Sequence, residues 1–195
     1  MIKFNGLNKI NTAVFISGNG SNLKNLINFS LKKRGSQFKI KLVISNNPKA
    51  RGLIHAKKLR IKNKIINYKK IRIAEKKISH YLKENKIKLI CLAGFMKILS
   101  KNFIKKFNGR ILNIHPSLLP KYRGLNTHQR VIDNNEKYSG CTVHFVSSKL
   151  DSGKIILQKK VKIQKKDTET TLAKRILKQE HILYPKALIK ISSIL

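Results

Sequence analysis

The sequence predicts a single α/β domain: a doubly wound, mostly parallel sheet with an antiparallel pair at one edge. Three observations predict it. Short apolar runs alternate with amphipathic stretches between residues 12 and 115. A glycine-rich turn, SGNGSNL, joins the first run to the first amphipathic stretch. After Gly140, two strand-like runs follow each other with no helix between them. Strand-helix alternation implies parallel strands with right-handed crossovers, whereas a short link allows only antiparallel neighbours.

Taken in order, TAVFIS (residues 12–17) reads as a buried strand, and an apolar-periodic helix follows from about Ser21 to Lys33. FKIKLVIS (38–45) is the next strand, followed by a turn at Asn46, Asn47 and Pro48 and a helix from Gly52 to Leu59. KIINY (64–68) gives a third strand and Ile73 to Glu84 a third helix. KLICLAG (88–94) is the most apolar run, which predicts a central strand covered on both faces. RILNIH (110–115) follows a short helix. CTVHFV and KIILQKKVKI form the expected edge pair, and a last helix runs from about Asp167 toward Ile191, with Thr168 and Glu169 at its start.

At 195 residues the chain reads as one domain, 1–195, large enough to bury a core without disulfide or metal staples. Cys91 and Cys141 sit among apolar neighbours without CxxC pairing, as buried free thiols of a reducing compartment do, so a cytoplasmic protein is expected. The opening MIKFNGLNKINTAVFIS is too polar for a signal peptide, and no run approaches a membrane span. The net charge of +36 invites a nucleic-acid reading. Its texture points elsewhere: 36 lysines spread through every element, against 8 arginines, the residue favoured for bidentate phosphate and base contacts. No specific nucleic-acid partner is expected, although loose binding of polyanions could follow from the charge.

The chemistry concentrates in RILNIHPSLLPKYRG and GCTVHFVSSKLDSG. Residues i and i+2 of a strand share a face, so Asn113 and His115 emerge side by side where Pro116 stops the strand. Ligands of open α/β sheets bind at such carboxyl ends. An amide donor, an imidazole and the carboxylate of Asp151 could together polarise a carbonyl and move protons, as acyl transfer requires. Only eight acidic residues exist in the chain, three of them Asp, yet Asp-Ser-Gly is also good turn chemistry, and a structural Asp is the alternative. In SGNGSNL, two glycines and a helix start at Ser21 and Asn22 suit an anion such as phosphate; a tight turn with a cap is the alternative. Without a third glycine or a Lys-Ser/Thr ending, the turn gives no indication of ATP or NAD.

SGNGSNL, SNNPKARGLIHA, LAGFMKILS, LNIHPSLLPKYRGLNTH, GCTVHFVSSKLDSGKIILQ and KQEHILYP, in that order, resemble the phosphoribosylglycinamide formyltransferase family over nearly the whole chain. The resemblance implies a Rossmann-like fold and transfer of a formyl group from 10-formyltetrahydrofolate, a co-substrate, to the glycine amine of a phosphoribosyl amide, with no metal and no ATP. It implies that Asn113 and His115 polarise the formyl oxygen, that His115 donates a proton, and that Asp151 pairs with His115 and favours its charged form. It implies Gly20, Ser21 and Asn22 on the substrate's phosphate and Glu180 on the ribose hydroxyls. It places the folate along Met96, Lys97, Ile98 and Leu99 and against Ser147, Ser148, Lys149, Leu150 and Asp151, with Arg72 a further candidate. The phosphate and ribose half would span about 1–100, and the folate and catalytic half about 92–195.

This chain departs from the family at several positions. KYRGLNTH stands where relatives read KYPGLHTH, placing Arg123 and Asn126 after the catalytic strand. Leu177 replaces an expected polar residue near the phosphate, and LDSG replaces LDGG, which a turn tolerates if Ser152 avoids positive φ. His55, His80 and His128 lack metal-ligand spacing and read as surface or capping residues, while His144 reads equally as a core histidine or as a support behind the site. Small-molecule substrates, no membrane, and a monomer or homodimer are expected. A methionyl-tRNA formyltransferase-like enzyme is the runner-up, disfavoured because the chain ends at Leu195 and RGLNTH replaces RGAAP. A basic RNA-binding protein with a degenerate site is the alternative from another class.

Overall fold

The apolar runs become the strands of one sheet in the computed structural model, which describes residues 9–32 and 37–194. In chain order they are β1 (Ile10–Ile16), β2 (Phe38–Ser45), β3 (Lys62–Ile65), β4 (Leu89–Leu92), β5 (Arg110–His115), β6 (Tyr138–Phe145) and β7 (Ile155–Lys162). They lie side by side as β3-β2-β1-β4-β5-β6-β7. Neighbours from β3 to β5 are parallel, and β6 and β7 add antiparallel pairings at one edge. As its composition predicts, β4 is central and buried at all four residues.

Among the described residues, six α-helices cover the sheet: α1 (Ser21–Lys32), α2 (Gly52–Lys58), α3 (Ile71–Glu84), α4 (Lys101–Lys106), α5 (Thr127–Asp133) and α6 (Glu169–Ile191). Alternation along the strands divides the core in two. Val14 and Ile16 of β1 face α1, α2 and α6 through Leu23, Leu53 and Ile176, whereas Ala13 and Phe15 face α3 and α4 through Ile78 and Phe103. Cys91 and Cys141 lie buried as free thiols on the α1/α6 side, and burial pushes both up to about 12. Tyr184 of α6 reaches the carbonyls of Leu92 and Leu112 at 3.1 and 3.3 Å, anchoring the helix under the ends of β4 and β5.

The structure shifts element boundaries and adds a helix. β3 pairs with β2 over Lys62–Ile65, starting two residues before the apolar run KIINY; Ile66 of that run lies just past the strand, its amide donating to the Ser45 carbonyl at 2.8 Å and its side chain buried in the core. α6 starts at Glu169 because the Thr168 hydroxyl and Thr171 close a reciprocal capping box, leaving Asp167 outside to accept from the Arg175 guanidinium. α5 lies where no helix was expected, since only Val131 and Thr127 of its seven residues are buried and no apolar stripe announces it. The expected end of α1 at Lys33 and the polar start, residues 1–8, lie outside the described residues.

Candidate active site

At the carboxyl end of β5, Asn113 stands opposite His144 of β6, and His115 opposite Thr142. The β6–β7 connection then brings Asp151 back over the strand end. Gly153 permits that return, because a Cβ there would lie 1.7 Å from the Phe145 carbonyl oxygen. The left-handed residue of the turn is Asp151 itself, at φ 46°, so Ser152 is spared positive φ and fits where a second glycine was expected. Its hydroxyl instead donates to the Lys149 carbonyl at 2.8 Å.

Asp151 is the hub. Oδ2 lies 3.3 Å from His115 Nδ1 and accepts from the Gly124 amide at 2.9 Å, while Oδ1 accepts from Asn113 Nδ2 at 3.4 Å. The His115 Nε2–H donates to the Tyr122 carbonyl at 2.8 Å. Each ring nitrogen of His115 thus faces an oxygen, the Asp151 carboxylate on one side and the Tyr122 carbonyl on the other. His115 and Asp151 are shielded, with side chains 6% and 7% exposed, whereas Asn113 is half-exposed. A shielded site strengthens every electrostatic contact made inside it.

His144 supports the amide from behind. Its Nδ1–H donates to the Phe145 carbonyl at 2.9 Å, which leaves the Nε2 lone pair to accept from Asn113 Nδ2 at 3.3 Å. Burial lowers its pKa, against smaller raising contributions from the Phe145 carbonyl and Asp151. The 3.7 Å approach of Nε2 to Asp151 is therefore no ion pair, because a neutral ring with its proton on Nδ1 has no hydrogen to offer there. Both long hydrogen bonds of Asn113 are weak enough to yield to a ligand carbonyl.

Beside this group opens a cleft of about 580 Å³, lined on one side by Gly18, Asn19, Gly20, Ser21 and Asn22 and on the other by Lys174, Leu177 and Glu180 of α6. Gly20 has φ +71° and its missing Cβ would meet Gly52 Cα at 2.5 Å, so only glycine lets the turn close here. The turn delivers the orphan amides of α1, a helix of 12 residues, into the cleft. Asn22 donates to Glu180 Oε2 at 2.7 Å, and its own buried Oδ1 has no partner among the described residues. Burial lifts Glu180 to about 7, with the Asn22 hydrogen bond pulling the other way. The unmatched Asn22 Oδ1 suits a ligand that carries a hydroxyl donor.

The sequence profile described as formyl transferase matches residues 10–188. The chain belongs to the formyl transferase family. It is 43% identical to phosphoribosylglycinamide formyltransferase of Haemophilus influenzae over 176 residues, covering 89% of this chain and 82% of that protein. It is also 44% identical to the trifunctional purine biosynthetic protein adenosine-3 of Gallus gallus over 189 residues; it covers 95% of itself but spans only 19% of that protein's length. The crystal structure of phosphoribosylglycinamide formyltransferase from Brucella melitensis superposes with a TM-score of 0.88 at 42% identity, covering 94% of this chain and 95% of that one.

Within this family fold, the site residues expected from sequence fall into two groups. Asn113, His115, Asp151 and His144 converge, and Gly20, Ser21, Asn22, Glu180 and Met96 line the cleft. The remaining folate candidates are spread out. Lys97, Ile98, Ser148, Lys149 and Leu150 are exposed, Ser147 is half-buried, and the Leu99 side chain is turned into the α3/α4 core. Arg72 stands exposed in the first turn of α3 with no hydrogen-bond or ion-pair partner among the described residues. Leu177 does line the cleft, placing an apolar side chain where a polar one was expected. His128 corrects the surface reading: it lines the cleft, its Nδ1 is buried without a partner, and burial lowers its pKa. Thr170 and Lys174 line it too. Only the position of His128 in RGLNTH, just after the strand-end loop, could have signalled this. Among the described residues, no group of three or more His, Cys, Asp or Glu could hold a metal ion, and no helix is long and apolar enough to cross a membrane.

Proposed function

We propose that this chain transfers the formyl group of 10-formyltetrahydrofolate to the glycine amine of 5'-phosphoribosylglycinamide, a step of de novo purine biosynthesis. The observation that carries the reading is the convergence of Asn113, His115 and Asp151 beside a cleft lined by the glycine-rich turn, within a chain similar to phosphoribosylglycinamide formyltransferases along most of its length. The amine nitrogen attacks the formyl carbon, and the carbonyl pair moves onto oxygen, where the Asn113 amide and the His115 imidazolium stabilise it. Asp151 holds the imidazolium in place. Collapse breaks the bond from the formyl carbon to the folate nitrogen, which takes up a proton as the amine loses one, with His115 as the shuttle. No metal or ATP takes part in these steps.

The phosphoribosyl amide occupies the cleft between the glycine-rich turn of the half expected at about residues 1–100 and α6, which lies outside that half. Its phosphate sits at the amides of Gly20, Ser21 and Asn22, and its ribose hydroxyls on Glu180. Support comes from the α1 amino end and the unpartnered Asn22 Oδ1. The folate lies in the half formed by about residues 92–195, against Met96 to Leu99 and Ser147 to Asp151, where Met96, Ile98 and Leu150 leave an exposed apolar rim. The partners are these small molecules, and the two buried free thiols suit a cytoplasmic setting.

An assay that follows consumption of the folate donor with and without the acceptor amide tests the reaction. The expected result is consumption strictly dependent on the acceptor; donor loss without it, or none with it, sinks the reading. Titration with the acceptor beside tRNA over a salt series separates it from a polyanion binder, which shows a steep salt slope.

A further inference from the structure

We infer that Arg130 is a positioning residue for the candidate active site: from α5 it pins the loop whose backbone holds His115 and Asp151 in register. The inference rests on the reaction proposed above. The loop from Lys121 to Asn126 has no regular structure, and Tyr122, Gly124 and Asn126 all adopt left-handed φ, at 56°, 79° and 55°. Two of these are non-glycine residues, so the conformation persists only if outside contacts impose it.

Those contacts alternate along the chain. The Tyr122 carbonyl and the Gly124 amide point inward, accepting from His115 Nε2 at 2.8 Å and donating to Asp151 Oδ2 at 2.9 Å. The Arg123 and Leu125 carbonyls point outward, and both accept from Arg130 Nη1, at 2.7 and 3.3 Å. The same guanidinium lies over the Tyr122 ring, 5.3 Å from its centroid. Tyr122 is held from beyond as well, its hydroxyl donating to Glu136 at 2.9 Å and accepting from Asn134 at 3.2 Å. One nitrogen thus grips the two carbonyls flanking Gly124 while the guanidinium plane covers the ring beside it, and it is this stacked contact that a lysine ammonium does not reproduce. In a chain with 36 lysines and 8 arginines, that choice of cation is not composition alone.

The test measures kcat and KM for Arg130→Met and Arg130→Lys, each in the native chain and in an Asp151→Asn background. Arg130→Met is expected to lower kcat about tenfold while leaving both KM values within about twofold, because the loop touches the reacting groups and not the bulk of either ligand. Arg130→Lys should restore less than half of the loss. In the Asp151→Asn background the further loss should shrink to about twofold, since the loop has already lost its carboxylate anchor. An unchanged kcat, or an equal loss in both backgrounds, overturns the proposal. Amide exchange gives a reading independent of turnover: exchange at Gly124 should quicken in Arg130→Met while β5 amides stay protected, and an unaltered Gly124 overturns the positioning role. Absence of formyl transfer by the native chain would overturn the functional reading and leave the exchange result standing.

Discussion

The site is built from two regions with opposite hydrogen-bond economies. Around Asp151, donors and acceptors are matched within the protein: His115, Gly124 and Asn113 all address one carboxylate, and His144 backs the amide. Around Asn22, matching is incomplete, with an orphaned amide oxygen, a glycine turn closed tightly against Gly52, and a carboxyl whose pKa burial has lifted to about 7. The first region is preorganised for charge that develops during reaction, and the second is left to be completed by a ligand. Substitutions in the first should therefore strike turnover, and substitutions in the second should strike binding and the pH dependence of folding.

Asn113→Ala breaks the first region most. Losing one preorganised donor costs about 10²- to 10³-fold in rate, so kcat should fall by that range while the thermal midpoint moves little, because the half-exposed amide makes only two long hydrogen bonds. Steady-state kinetics beside a melting curve checks it; a matched fall in stability would mean the residue is structural. Gly20→Ala strikes the second region. At φ +71° and 2.5 Å from Gly52 Cα, a Cβ forces the turn open, and the expected outcome is a rise of tenfold or more, about 1.4 kcal/mol, in the acceptor's KM with the folate's KM unchanged. Equal effects on both substrates would erase the distinction between the regions.

The same contrast explains what could be read from sequence. Parallel strands buried on both faces write continuous apolar runs, so β1, β2, β4 and β5 were legible, and so was the spacing that sets Asn113 beside His115. The change of pattern after Gly140 signalled the antiparallel edge. α5 and the loop before it were not legible, because their order comes from hydrogen bonds to Arg130, Glu136 and Asp151 in place of a buried stripe. For the same reason His128 read as surface: its helix presents no periodicity, and its place on the cleft depends on where α6 begins. The Asn22–Glu180 bond, between residues 158 apart, has no local trace at all.

Glu180→Gln sharpens the comparison through pH. The native carboxyl titrates near 7 and its ordinary value is 4.5, so between those values the folded chain holds a proton that the unfolded chain has released. Stability contributed by the neutral carboxyl is complete below about 4.5 and is lost as pH rises through 7. The full shift corresponds to at most about 3 kcal/mol. Glu180→Gln should remove this slope, leaving the variant more stable than the native chain at pH 8 although its acceptor binding is weaker. Denaturant titrations at pH 5 and 8 measure it, and parallel pH profiles for the two proteins would refute the assignment.

His144→Phe tests the other region with the opposite sign. Burial lowers the histidine's pKa from 6.5, so as pH drops below about 6.5 the unfolded chain takes up a proton that the native ring resists, and stability falls with acid. Phenylalanine fills the space without titrating, and that acid slope should flatten. The Asn113 amide simultaneously loses the acceptor 3.3 Å away that fixes which of its atoms faces the cleft. A hydrogen bond of that length contributes about 1 kcal/mol, so kcat should fall only about fivefold, with both KM values unchanged. The two pH slopes, one lost from the cleft and the other from the matched network, are independent because Glu180 and His144 share no partner. A double variant should therefore lose both slopes additively, and coupling between them would show that the regions form a single electrostatic unit.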